Sequence, residues 1–141
     1  MNEIDILKEI NKSSKTGIDG INYTFSKVKD SQLKDLLYKE KDEYQNIYDR
    51  SKEILIQKNE DTDDTKTMQK IMSWMGIELN TLTDKSSSQI AEMLIQGNNM
   101  GVIKGTKLLN NMQFEDTQIQ NLLEDFIRLQ QKNIEDLKKY L

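Results

Sequence analysis

The chain of 141 residues has no cysteine and no histidine. Thiol nucleophiles, disulfides, zinc-finger sites and imidazole acid–base catalysis are thereby excluded. Proline is also absent and only 6 glycines occur, so little interrupts helix propagation, which a proline would stop by removing a backbone donor. Aromatic residues make up 6% of the chain, and none is spaced through a basic run that could track a phosphate backbone. The 20 basic and 24 acidic residues are interleaved along every segment, for a net charge of −4, which makes nucleic acid a poor partner. No stretch approaches the roughly 20 consecutive apolar residues of a membrane span, and the opening MNEIDILKEINK lacks the basic and apolar regions of a secretion signal. These absences set the expectation of a cytoplasmic, all-α chain with one helical domain over residues 1–141. A domain of this length buries roughly two thirds of the surface its unfolded chain exposes, so a sizeable core can form.

Within those bounds the most informative stretch is residues 33–55. Leu33, Leu36, Leu37, Glu40, Tyr44, Ile47, Ser51 and Ile54 follow helical spacing, so a stripe that must bury itself carries a carboxylate where a leucine is expected. Glutamate is seldom buried without a partner. Glu40 and Glu43 therefore have three open readings: solvated at the edge of the stripe, held in a buried ion pair, or gathered at a cation site. Glu43-Tyr44-Gln45-Asn46 has the form of a Glu-x-x-His metal-binding pair with asparagine in the histidine place.

The remaining segments repeat the helical pattern. Ile4, Leu7, Asn11, Ser14, Ile18, Ile21, Phe25 and Val28 keep a strict 4,3 spacing, the seam of a bundle helix. Gly17 and Gly20 interrupt it, and a close helix neighbour or a small bend offsets their cost of about 1 kcal/mol each. Asp30-Ser31 is a break and cap signal, so the first two helices form a hairpin. A polar, acidic run over residues 57–64 reads as a loop. Met68, Ile71, Met72, Met75, Ile77 and Leu82 resume helical spacing beside Trp74, and Thr83 to Ser88 form another cap-rich break. Gly97, Gly101 and Gly105 then fall at i, i+4, i+8, a small-residue groove suited to close packing. Phe114-Glu115-Asp116-Thr117 introduces a last helix. Helices are predicted over 3–28, 32–58, 65–82, 87–112 and 116–140. The methionines and tyrosines suit irregular core filling and half-buried phenols rather than metal or redox chemistry.

Two hairpins of long helices joined by some 25 residues require one long crossover, the ferritin-like topology of an up-down four-helix bundle with an additional helix in the connection. The motif order Lys15-Thr16-Gly17-Ile18-Asp19-Gly20, Leu33-Lys34-Asp35-Leu36, Glu43-x-x-Asn46, Ser73-Trp74-Met75 and Gln96-Gly97-Asn98-Asn99 resembles the bacterial ferritin-like families of unknown function related to rubrerythrin and to some spore-coat proteins. The resemblance implies that the metal ligands of such relatives fall at Asp19, at Glu43 with Asn46, at Asn98, and within Arg128-Leu129-Gln130-Gln131, where Arg128 and Gln131 replace a Glu-x-x-His. A guanidinium in place of a carboxylate opposes cation binding, so the resemblance implies a vestigial site without metal or other cofactor, at Asp19, Glu40, Glu43, Asn46, Asn98, Arg128 and Gln131. Arg128 is then expected to pair across the bundle with Glu43 or Glu40.

The expected function is that of a non-catalytic helical bundle acting in structure, assembly or protein interaction. Its partner would be a second copy, through the apolar strip around Trp74, or another protein. The alternative is a degenerate, carboxylate-lined binder of a metal or a small ligand between the helices.

Overall fold

The computed structural model describes residues 1–62 and 86–141. The predicted helix at 65–82, and with it the Trp74 strip, lies outside the described residues. Four long helices are present: α1 (Glu3–Phe25), α2 (Ser31–Gln57), α3 (Ser87–Asn111) and α4 (Thr117–Leu137), followed by a short 3-10 turn, Lys138–Tyr140. There is no strand among the described residues, and no helix there is long and apolar enough to cross a membrane.

Side-chain caps define where each helix begins. Asn2 and Asp5 form a reciprocal capping box at α1, the Asp30 carboxylate accepts from Gln32 and Leu33, the Ser86 hydroxyl accepts from Gln89, and Asp116 accepts from Gln118. Each of these oxygens satisfies amides that the first turn leaves free. Without glycine or proline to end it, α2 stops on Asn59, which adopts a positive φ of 56°. Glu60 N–H then reaches back to the Leu55 carbonyl at 2.9 Å, closing the helix as a Schellman turn does. α1 ends at Phe25, earlier than its seam, yet Val28 is 2% exposed and still contributes to the core from the turn.

Cross-helix contacts fix the directions. Glu3 at the start of α1 accepts from the Glu115 and Asp116 amides before α4, and Lys58 just past α2 pairs with Asp116 at 2.9 Å. The beginnings of α1 and α4 and the ends of α2 and α3 therefore share one end of the bundle. α1 and α4 run one way, α2 and α3 the other, and the end of α2 and the start of α3 lie at opposite ends. Packing is closest within each hairpin, α1 on α2 and α3 on α4; α4 also touches both α1 and α2, whereas α1 and α3 meet only sparsely.

A continuous core of Leu7, Leu33, Leu37, Leu55, Ile90, Leu122 and their neighbours runs through all four helices. Polar seam positions are satisfied locally: Asn11 donates to the Ser51 hydroxyl at 3.0 Å, and Ser14 and Ser51 donate to carbonyls of their own helices.

Candidate ligand-binding site

The sparse meeting of α1 and α3 leaves a cavity of about 610 Å³. Ile21 and Gly17 of α1 form one wall, Met93 and Leu94 of α3 the other, and Glu40, Tyr44 and Gln130 form the floor. The glycines explain why side chains can reach it. A Cβ on Gly17 would come within 2.8 Å of the Tyr44 ring, and one on Gly101 within 2.0 Å of the Gln130 amide oxygen; only glycine leaves room for these two groups. Gly105 likewise admits Ile127, whereas a Cβ on Gly97 would meet nothing within 4 Å among the described residues. Two residues of the predicted small-residue groove thus serve packing against α4, and the third opens on the cavity.

Glu40 follows the α2 stripe into the interior and is 3% exposed. Its Oε1 has no hydrogen-bond partner among the described residues, and the same holds for Oε1 of Gln130 and Oδ1 of Asn133. Burial, reinforced by the charges of Asp136 and Glu43 and opposed by Lys132, pushes the Glu40 carboxyl up to about 8; in water the acid would ionise well below that. Beside it, the Tyr44 hydroxyl donates to Asn98 Oδ1 at 2.7 Å, while Asn98 donates to the Leu94 carbonyl at 2.8 Å and receives a longer contact from Asn133 at 3.4 Å. Burial, and then the nearby Glu40, raise the Tyr44 phenol above its ordinary value, so it serves as a neutral donor.

The seven positions named from the sequence do not converge. Glu40 and Asn98 are inside. Asp19 is half-buried, with one oxygen paired to Lys15 at 3.3 Å and the other unpartnered. Glu43 lies at the edge of the bundle, bonded to Lys132 at 2.7 Å, and with the exposed Asn46 it lines a surface groove of about 390 Å³ between α2 and α4. Arg128 and Gln131 are exposed. The expected pairing of Arg128 across the bundle is therefore corrected: its guanidinium bonds Asp125 one turn back on the same helix, and it is Lys132 that reaches Glu43. Helical geometry is the cause, because residues 128 and 131 project away from the face that carries Phe126, Gln130, Asn133 and Leu137.

Among the described residues no group of three or more acidic, histidine or cysteine side chains is placed to hold a metal ion. What the arrangement offers is an apolar recess with a small set of convergent polar groups at its base, the usual make-up of a small-molecule site. Sequence reasoning missed Gln130 and Asn133. Their signal was the continuation of the 4,3 spacing from Phe126 through 130 and 133 to Leu137. Comparison with family models, curated proteins and solved structures finds no match for the chain.

Proposed function

We propose that this chain is a non-catalytic helical bundle that binds a small, largely apolar molecule in the cavity between α1 and α3. The observation that carries the reading is the cavity itself, walled by apolar side chains and floored by the buried, unpartnered oxygens of Glu40 and Gln130. A closed bundle would fill such a space, since unfilled apolar volume costs stability. Of the two readings drawn from the sequence, the ligand binder is favoured over a purely structural component because the cavity supplies a place for a ligand. The helix directions support the ferritin-like topology as part of this proposal, with Glu40 and Asn98 as what is left of an inward-facing polar centre.

The test uses Nile red, a neutral apolar dye that brightens when it leaves water. Saturable, stoichiometric binding is expected. Gly97→Leu directs a side chain from the α3 wall into space that no described residue fills and is expected to abolish binding without lowering the melting temperature. Binding that survives this change would place the dye elsewhere and remove the support for the proposal.

A further inference from the structure

The chemistry of the cavity floor narrows the ligand, on the reading just given. Three buried side-chain oxygens without a partner among the described residues lie at it or, for Asn133 beside Asn98, just behind it: those of Glu40, Gln130 and Asn133. Buried polar atoms are nearly always bonded; the amide oxygens ask for donors, and so does Glu40 once it gives up the proton that burial holds on it up to about pH 8. We infer that the ligand is a primary alkylammonium whose head seats between Glu40 and Gln130 and whose hydrocarbon body lies along Ile21, Met93 and Leu94.

Charge and donor count both favour that head. An ammonium carries three donors and no acceptor, a hydroxyl only one donor, and a carboxylate none. From α2 itself Glu43, and from α4 Asp136, add negative potential around Glu40; the cation near them, Lys132, is bonded to Glu43. A cationic head supplies the positive charge that lets the buried Glu40 sit ionised, and a bond between two charged groups there is stronger than a neutral one. An anionic head would instead meet these carboxylates. At the rim, Lys104 is paired with Glu9, and Lys107 stands nine residues beyond Asn98, about 14 Å along the axis of α3, so neither opposes a cation at the floor.

Displacement of Nile red from the full chain at pH 7 by n-octylamine, 1-octanol and octanoate tests this inference, with Glu40→Gln beside the native protein. Octylamine is expected to displace the dye at a concentration about tenfold lower than octanol does, because a hydrogen bond between charged partners is roughly twice as strong as a neutral one. Octanoate should be the weakest. In Glu40→Gln the ratio between amine and alcohol displacement should shrink to less than about threefold; the ratio is read against the dye affinity that the variant retains, so a general weakening of the site cannot mimic the selective loss. Equal displacement by all three compounds, or preference for octanoate, overturns the inference and leaves the apolar site standing. An advantage of the amine that persists in Glu40→Gln also overturns it, by moving the cation away from Glu40. Failure of Nile red to bind at all overturns both the site and its ligand.

Discussion

α3 meets its two neighbours in opposite ways. Toward α4 it is closed: Gly105 admits Ile127, Gly101 admits the Gln130 amide, and no room remains for even one added methyl without movement. Toward α1 it is open: no described residue stands within 4 Å of a Cβ on Gly97, and Met100 and Ile103 stay exposed on a helix that could have buried them. The residue types on the two sides are similar. What differs is the interior, since where α3 opens it carries Glu40, Tyr44 and Asn98, and where it closes it carries Leu122, Leu123 and Ile127, with Gln130 between the two. An apolar core closes on itself because every contact excludes water. A set of unpartnered oxygens gains nothing from that closure, so the open side costs stability, which a ligand would restore on the proposed reading.

The largest effect that separates the two sides is expected at Glu40. In the unfolded chain this acid loses its proton near 4.5, and in the fold not until about 8. Because the folded value is raised, its neutral form is the one compatible with folding. Stability is therefore highest at low pH as far as this group is concerned, declines as pH climbs from about 4.5 to about 8, and levels off above. The full loss is at most about 5 kcal/mol, with Asp136 and Glu43 adding to it and Lys132 reducing it. Glu40→Gln removes the ionisation, so in denaturant titrations the variant should exceed the native protein by several kcal/mol at pH 9, and the gap should close by pH 4. A gap that does not change with pH would show the carboxyl to be hydrated, and the open side no more costly than the closed one.

A smaller effect distinguishes the glycines of one helix. Gly105→Ala drives a methyl to within 2.8 Å of the buried Ile127 and should destabilise by about 1–3 kcal/mol, the usual range for overpacking. Gly97→Ala meets no neighbour and should stabilise by up to about 1 kcal/mol through helix propensity alone. Chemical denaturation of the two variants should thus move in opposite directions, and a common sign would dissolve the contrast between the two sides of α3.

Much of this was legible beforehand. Local rules placed the four described helices, because Asp30, Ser86 and Asp116 announce their starts and the 4,3 spacing of leucines and isoleucines announces their buried faces. The same spacing puts Glu40 on the stripe but leaves open whether it is solvated at the edge, and the cost of glycine in a helix allows either a close neighbour or a bend at Gly17; the fold takes the buried carboxyl and the close approach. The cavity was not legible, because it depends on how far apart two helices stand that are not adjacent in sequence, and no local pattern encodes that distance. The partners of the carboxylates were not legible either. On α4 the positions were taken from resemblance to a metal-binding motif rather than from the helix's own stripe, and this put Arg128 and Gln131 where the fold puts Gln130 and Asn133.

The smallest effect tests that correction. Had Arg128 crossed the bundle to a buried carboxylate, removing it alone would strand a charge in the interior and cost roughly 3–5 kcal/mol. It lies instead on the outer face of α4, its side chain 65% exposed, bonded to Asp125, which Arg50 of α2 also holds at 2.8 Å. Partial burial raises the Asp125 carboxyl, but the bonds from Arg50 and Arg128 outweigh that and hold it below its ordinary value. With Arg50 left in place, Asp125 keeps a partner when Arg128 is lost. Exposed pairs of this kind contribute about 0.2–1 kcal/mol and less at high salt. Arg128→Leu should therefore shift the denaturation midpoint little, by no more than about 0.5 kcal/mol in stability, and a double-mutant cycle with Glu43→Gln should give coupling indistinguishable from zero. A coupling above about 1 kcal/mol would return Arg128 to the interior and undo the assignment of Gln130 and Asn133 to the buried face of α4.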